Sequence, residues 1–403
     1  MPEHEIKHLK KQTRRLAFYF GIGLGIFAGI ILMTLALLRP TIEVQPTPTG
    51  ALITVNGKAM NASQGIRILP FVRHTLTASA PGFFPYDKKV SLLPGQKMVL
   101  KPALAQYPEP IKLSSSALGA SVSNMGGNIF YFNESSRAFE RIRAGGATSE
   151  AISPAGLEKP SQVYWNTDHS LALLNRNGNV SVYDFHRYDL LHQEQYKVAE
   201  QIIDAAWSVS NQIAALQIQG EEVRLVRSGV NFSNPQILTV VDGADAREST
   251  ISWSPDETVI AVTSPKRIRL FPLATHEWIE LAQFKGPIRF SQNGEHFLAQ
   301  TQEGDVVAYD RARQITTPIA PKNNVSRVVF IDRARVLLAT DTELVERDLS
   351  NNTRSVFPVR MLTDLRTVEI VGIVQDQSAN QYAALQSGAD LYVLALKKDA
   401  NAE

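Results

Sequence analysis

The sequence predicts a mainly β protein with an N-terminal single transmembrane α-helix, a small β-sandwich-like domain and a C-terminal seven-bladed β-propeller. Three features of the 403-residue chain predict these parts in this order. An apolar run without a charge occupies residues 16–38, and short alternating strand patterns follow at 50–104. A repeat with a period of about 40 residues then fills 105–398.

The composition excludes several classes of protein. With 44% hydrophobic and 20% charged residues, the chain is too apolar to be wholly disordered. It contains no cysteine, which removes disulfides, thiolate zinc sites and cysteine nucleophiles. The 41 basic and 39 acidic residues leave a net charge of +2, and the basic excess lies within residues 1–15. The remainder is almost neutral, so we expect no nucleic-acid partner.

Residues 16–38 predict one membrane span. As a helix, this uncharged run extends about 34 Å, which is enough to cross a hydrocarbon core roughly 30 Å thick. A cleavable signal peptide would have an apolar region of about 7 to 15 residues and a small-x-small cleavage site. The run here is longer and ends at Leu38-Arg39-Pro40. We therefore expect an uncleaved anchor in contact with membrane lipid.

Charges on either side of the span predict its orientation. Five basic residues precede it, namely Lys7, Lys10, Lys11, Arg14 and Arg15, whereas only Arg39 follows directly. The positive-inside bias places a cytoplasmic tail at 1–15 and all later domains outside the cytoplasm. Within the span, Gly21, Gly25 and Gly29 share one helix face, which predicts a stripe for packing against a second helix. That helix belongs either to another copy of the chain, which gives a homo-oligomer, or to a different protein. The alternative is that they reflect the ordinary glycine content of membrane helices.

A proline-rich spacer at 40–49 leads into a small β domain at 50–104. Its alternating segment ALITVNGKAM contains Asn56-Gly57, a dipeptide that favours a type I′ hairpin turn. Further strands are predicted at 66–69, 74–80, 86–92 and 97–100. Phe83, Phe84 and Tyr86 are expected in the core rather than on an exposed ridge, because so small a domain needs large aromatics to bury enough area.

Residues 49–101 resemble a PEGA domain, a β module of extracytoplasmic bacterial and archaeal proteins. The matching stretches are Gly50-Ala51, Val55-Asn56-Gly57-Lys58, His74-Thr75-Leu76, Ala78 to Tyr86 and Leu93-Pro94-Gly95-Gln96. At the motif that names the family, Ala80-Pro81-Gly82-Phe83 replaces Pro-Glu-Gly-Ala. The resemblance implies an envelope module without catalytic chemistry.

The repeat at 105–398 predicts the propeller. Each unit contains a marker strand, a polar turn, a strongly apolar strand, a second turn and another strand. The marker aromatics are Trp165, Trp207, Trp253, Phe290 and Phe330, with weaker copies at 120–122 and 368–373. Seven units predict seven blades, because a four-stranded blade uses about 40 to 45 residues. The number is six if one terminal copy is not a blade.

Short motifs within the repeat resemble known propeller signatures. Trp253-Ser254-Pro255-Asp256 resembles the WSPDG motif of TolB-type repeats, with Glu257 in place of glycine, and Ser291-Gln292-Asn293-Gly294 is a degenerate copy. Tyr183-Asp184, Tyr309-Asp310 and Arg347-Asp348 fall where WD-repeat proteins carry Trp-Asp. These resemblances imply a fold and leave the function open.

We find no catalytic motif, and we expect no cofactor and no metal site. His169, His186 and His192 lack a consistent ligand spacing. Asp242, Asp245 and Glu248 fall in one loop, for which a solvated loop is favoured over an acid/base pair, and calcium binding stays open.

The predicted function is a membrane-anchored, extracytoplasmic binding or scaffold protein of the bacterial cell envelope. Its propeller would be a platform for a protein or glycan partner. The alternative is an envelope enzyme, a glycan hydrolase or lyase, with its site in the propeller mouth. Residues 399–403 form a C-terminal tail.

Overall fold

The computed structural model describes most of residues 16–396. The gaps are 17, 32, 35–37, 62–64, 124–126, 147, 186–193, 231, 233–234, 244, 342, 352, 359–366 and 377. The predicted basic tail at 1–15, the tail at 399–403, part of the predicted span and the histidines at 186 and 192 therefore lie outside the described residues. The described residues divide into two compact units, the first up to Tyr107 and the second from Pro108 onwards.

Residues 18–31 and 33–34 of the first unit are helical. Their large apolar side chains are exposed, including Phe18, Ile26 and Phe27. Among the residues that the structure describes, no helix has both the length and the apolar composition that a membrane crossing requires.

The small β domain consists of two sheets. The first has the strand order β4-β1-β7 and the second the order β3-β2-β5-β6. The strands are β1 Thr41–Val44, β2 Leu52–Val55, β3 Lys58–Met60, β4 Ile66–Arg67, β5 His74–Ser79, β6 Tyr86–Val90 and β7 Lys97–Leu100. Asn56 and Gly57 join β2 to β3 with φ of 50° and 77°, the left-handed conformations of a type I′ turn.

One apolar cluster forms the core of this domain. Alternate residues of the strands point into it, among them Ile42, Ile53 and Leu76, each almost fully buried. Phe84 is buried with its ring 5.0 Å from that of Tyr107. Phe83 and Tyr86 are partly buried against the cluster. Phe83 and Tyr86 therefore pack against the core as expected, and Phe84 is buried beside Tyr107.

The described residues of the second unit form seven four-stranded antiparallel sheets, numbered here in chain order. They comprise β9 Ala117–Val122, β10 Asn128–Asn133, β11 Ala138–Arg143 and β12 Glu150–Ala151; β13 Gln162–Trp165, β14 Leu171–Arg176, β15 Asn179–Asp184 and β16 Glu194–Ala199; β17 Ile202–Trp207, β18 Ile213–Gln219, β19 Glu222–Ser228 and β20 Gln236–Val241; β21 Thr250–Trp253, β22 Val259–Thr263, β23 Ile268–Pro272 and β24 Ile279–Leu281; β25 Phe284–Phe290, β26 His296–Thr301, β27 Val306–Asp310 and β28 Ile315–Ala320; β29 Val328–Phe330, β30 Arg335–Ala339, β31 Glu343–Asp348 and β32 Arg354–Pro358; and β33 Glu369–Gln375, β34 Gln381–Ser387 and β35 Asp390–Ala395 with β8 Ile111–Ser114. Two short 3-10 helices, Ala246–Glu248 and Val325–Arg327, precede β21 and β29.

Apolar clusters between consecutive sheets close this unit into a ring. Leu173 and Ala215, for example, lie in a cluster shared by the second and third sheets. Equivalent clusters join each sheet to the next, and Tyr131 and Ala384 lie in the cluster between the first and seventh sheets. A closed ring of four-stranded meanders is a β-propeller. The mainly β class and the propeller predicted from the repeat are therefore confirmed.

The two ends of the second unit meet in the seventh sheet. Strand β8, from the beginning of the unit, pairs with β35 from its end, with Lys112 opposite Tyr392. Lys112 also lies 2.8 Å from Asp390 as an ion pair and 5.9 Å from the centre of the Tyr392 ring. The sequence analysis did not foresee this pairing, which supplies the fourth strand of the last sheet.

The turn after the first strand has the same geometry in the second to fifth sheets. A buried Asn or Ser opens each turn and accepts a hydrogen bond from a backbone NH four or five residues later. These bonds join Asn166 to Leu171, Ser208 to Gln212, Ser254 to Val259 and Ser291 to His296 at 2.9–3.1 Å. Three residues after each opener, the chain is left-handed, at His169, Asn211, Glu257 and Gly294. Glycine and asparagine adopt that conformation most easily, which explains the glycine of the WSPDG motif.

His169 connects this turn to the first sheet. It is 6% exposed, its Nε2 lies 2.9 Å from Ser121 Oγ, and its ring stacks on Phe130 with centroids 4.4 Å apart. Burial lowers the pKa of His169 from 6.5 to about 4, although the charge of Asp168 opposes this. The unfolded chain therefore binds a proton between these two pH values that the folded chain does not.

We predict that the propeller loses stability as the pH falls from 6.5 towards 4, and that His169→Asn weakens this loss. From the two pKa values, the histidine accounts for about 2 kcal/mol between pH 7 and pH 5. Asparagine tolerates the left-handed backbone, as Asn211 does one sheet later. Urea unfolding of both proteins at the two pH values measures the difference. The same loss of stability in both proteins would show that His169 does not cause the pH dependence.

Candidate interaction groove on the propeller

The first strands of neighbouring sheets contact each other around the ring, as β17 contacts β21 and β9 contacts both β13 and β33. Arg289 on β25 ties three of them together, because its Nη1 donates to the carbonyl of Val328 on β29 at 3.3 Å and to that of Ile370 on β33 at 2.5 Å. The residue keeps some exposure, but burial of the guanidinium lowers its pKa, and the charge of Glu369 opposes that shift. The guanidinium group of Arg289 is thus bound by backbone carbonyls of the neighbouring sheets.

A buried carboxyl group on the first strands also forms hydrogen bonds to neighbouring sheets. Asp204 on β17 accepts a hydrogen bond from the Tyr164 hydroxyl on β13. Its other oxygen accepts a bond of 2.8 Å from the backbone NH of Ile251 on β21. Burial raises the pKa of Tyr164, and burial raises that of Asp204 although the tyrosine hydrogen bond opposes it. This network couples the second, third and fourth sheets.

A groove between the fifth and sixth sheets of the propeller is lined by several charged side chains, and we call it the basic groove. Its volume is about 730 Å³. Its apolar side is formed by Ile319, Leu338 and Val345. Its polar lining comprises Lys322, Asn323, Arg327, Thr340, Asp341, Arg347 and Arg354. Four cationic side chains therefore face a single carboxylate in the lining.

Neighbouring groups hold the arginines of the basic groove in place. Arg347 Nη1 donates to the carbonyls of Pro318 and Ile319 at 2.8 and 2.9 Å, which attaches the sixth sheet to the fifth. Arg327 lies 3.3 Å from Asp341, and Arg354 lies 2.7 Å from Glu343. Lys322 is exposed at the edge. Positioned guanidinium groups beside an apolar surface suit a ligand that carries carboxylate or phosphate groups.

The predicted site residues do not converge in the structure. Gly21, Gly25 and Gly29 lie within the helical residues 18–31, and a Cβ built at each would meet no atom within 4 Å. Their packing role stays a prediction. The topology residues Lys7, Lys10, Lys11, Arg14 and Arg15 lie outside the described residues. In the part of the chain that the structure describes, no three His, Asp or Glu residues form a potential metal site.

The acidic loop at 242–248 faces arginines. Asp242 forms an ion pair with Arg269, and Asp245 lies 3.3 Å from Arg267 Nη2 and accepts a hydrogen bond from Ser264. Arg269 in turn lies over the Trp278 ring, 4.9 Å from its centre. Two carboxylates of the loop therefore interact with guanidinium groups, an arrangement that stabilises the loop.

Glu257 has a role that its motif did not suggest. It occupies the glycine position of the WSPDG-like turn with φ of 56°. Its carboxylate accepts hydrogen bonds from the backbone NH and the hydroxyl of Ser210, in the corresponding turn of the preceding sheet. Burial raises the pKa of Glu257, but the hydrogen bonds from Ser210 outweigh it and hold the pKa below its ordinary value. The side chain thus links two turns on one face of the ring.

Comparisons with known proteins place few limits on the function. No protein-family profile matches the chain, and no curated protein matches it. Among solved structures, the chain is similar to the β-propeller domain of Cps50 (Swd1) from Myceliophteria thermophila. The sequence identity is 12%, the match covers 72% of this chain and 99% of that one, and the TM-score is 0.49.

We predict that Tyr164→Phe destabilises the propeller by roughly 1–3 kcal/mol, because it leaves the buried Asp204 without its hydroxyl partner. Tyr309→Phe is the matched control, since it removes a hydroxyl from the apolar cluster between the fourth and fifth sheets. We expect a smaller change for the control. Urea unfolding followed by tryptophan fluorescence measures both. Equal changes would show that the Tyr164–Asp204 bond does not stabilise the ring.

Proposed function

We propose that the chain is a membrane-anchored binding or scaffold protein of the bacterial cell envelope, whose propeller presents the basic groove to an acidic protein or glycan partner. The observation that carries this proposal is the groove itself, in which four cationic side chains line a cavity of about 730 Å³. Its arginines are positioned before any ligand arrives, which lowers the entropic cost of binding. A β-propeller is a rigid ring that suits such a platform.

The proposed organisation follows the sequence analysis. It comprises a cytoplasmic tail at 1–15, a transmembrane helix at 16–38, a spacer at 40–49, a PEGA-like domain at 50–104, and a propeller at 105–398 whose blade number we propose to be seven. The seven four-stranded sheets support that number. The uncharged run at 16–38, together with the exposed apolar side chains of the helical residues, supports the anchor. Gly21, Gly25 and Gly29 would form its packing face.

The enzyme alternative requires carboxyl groups that are free to act at the ring centre. Asp204 is the buried aspartate of the first strands, and its two oxygens accept bonds from Tyr164 and Ile251. An acid/base role for Asp204 would first have to break both bonds. Asp204 therefore gives no support to the enzyme alternative.

Charges placed in the proposed span test the anchor. We predict that Ile26→Lys combined with Phe27→Lys releases the chain from membranes at alkaline pH, because each lysine at a helix centre costs about 2.5–3.5 kcal/mol on insertion. Ile237→Lys combined with Val240→Lys is the control, since both residues are exposed on the propeller. Carbonate extraction and sedimentation measure the membrane-bound fraction. Retention of the first variant in the pellet would contradict the anchor.

Site-specific crosslinking tests the basic groove. A benzophenone amino acid at Lys322 should give a discrete adduct in cells that produce the chain, whereas one at the exposed Glu277 should not. Arg354→Glu should lower the yield at position 322 several-fold, because it places a second carboxylate beside Glu343. Arg313→Glu is the charge-matched control at a largely exposed position. Equal adducts from both positions, or no effect of Arg354→Glu, would count against the groove.

A further inference from the structure

Two loops of the small domain meet the end of the apolar run. The backbone NH of Gly95 donates to the carbonyl of Leu38 at 2.6 Å, and the NH of Phe71 donates to the carbonyl of Leu92 at 3.0 Å. The NH of Ile68 donates to the carbonyl of Pro40 at 3.1 Å. Residues 67–73 and 91–96 therefore form one surface around Leu38, which we call the anchor-side surface.

This surface exposes large apolar side chains. The exposed fractions are 65% for Phe71, 60% for Leu93 and 53% for Leu69, and Val72 and Leu38 are exposed beside them. Phe71 is also held with φ of 63°, a conformation that is unfavourable for a bulky residue. In water, the exposed apolar side chains would be unfavourable. Their clustering at one end of a small domain indicates a surface that is covered.

The charges of the anchor-side surface are of one sign. Residues 38–40, 67–73 and 91–96 contain Arg39, Arg67 and Arg73 and no aspartate or glutamate. The three arginines are exposed. Apolar side chains among cationic groups are the composition that binds at the headgroup level of an anionic bilayer.

We propose that the anchor-side surface is inserted into the lipid interface of the membrane that holds the anchor, with Phe71 and Leu93 at the boundary between headgroups and acyl chains. The proposal rests on the proposed anchor, since Leu38 is the last residue of the apolar run and bonds directly to Gly95. Lipid is the occupant that both observations favour, because the surface continues the apolar run and its charge complements anionic headgroups. The small domain would then lie on the membrane instead of swinging on a flexible linker.

The absence of cysteine allows a direct test with the full chain. Single variants Phe71→Cys and Leu93→Cys carry the fluorophore NBD, and Leu52→Cys is the control. Leu52 is 55% exposed and lies opposite Ser79, at the other end of β5 from His74. The proteins are reconstituted into vesicles of phosphatidylcholine and phosphatidylglycerol, and iodide in the aqueous phase quenches the labels.

We expect iodide to quench the labels at 71 and 93 roughly twofold less than the label at 52, and brominated lipid to quench only the first two. Equal iodide quenching at all three positions in vesicle-bound protein would overturn the lipid contact while leaving the anchor intact. Protection from both iodide and brominated lipid would mean that protein covers the surface, and would also overturn the proposal. Protein that does not sediment with the vesicles would instead refute the anchor.

Discussion

The propeller depends on a closed ring, because none of its sheets can bury both faces alone. Ala172 and Leu174 of β14 pack towards the first sheet, whereas Leu171 and Leu173 of the same strand pack towards the third. Every sheet therefore packs against two apolar cores, one on each face. The seventh sheet is complete only when β8, from the beginning of the unit, pairs with β35, from its end. If that pairing were lost, the seventh sheet would lack a strand and the cluster that joins it to the first sheet would open to water.

Closure of the ring also accounts for the location of the candidate site. Arg289 and the Tyr164–Asp204 network satisfy polar groups of the first strands, so these side chains connect neighbouring sheets. The basic groove lies where the outer strand of the fifth sheet meets the sixth, and its arginines bind groups of those two sheets. The position of its charges is thus a consequence of how neighbouring sheets pack. A partner bound there would contact a rigid surface.

Local patterns predicted the parts of the fold that local interactions determine. Asn56-Gly57 forms the expected turn, and the marker strands at Trp165, Trp207 and Trp253 belong to consecutive sheets. The polar opener of each turn could be recognised because its hydrogen bond spans only four or five residues. The contacts of Arg289 were not predictable in this way, since the carbonyl of Ile370 lies 81 residues away in sequence. The basic groove was not predictable either, because it combines residues of two sheets. Strand β8, Ile111–Ser114, was not predicted because it contains no marker aromatic.

Closure by β8 and β35 is the claim on which the rest of the structure depends, and disulfide trapping tests it most directly. Lys112 and Tyr392 are direct partners in the pairing, and directly opposed residues on one sheet face are close enough for a disulfide. We predict that Lys112→Cys with Tyr392→Cys oxidises readily and raises the unfolding temperature of the propeller. Lys112→Cys with Leu391→Cys, whose second side chain points to the other face, should not oxidise. Free thiols in the first variant, or oxidation of both variants alike, would contradict the closed ring.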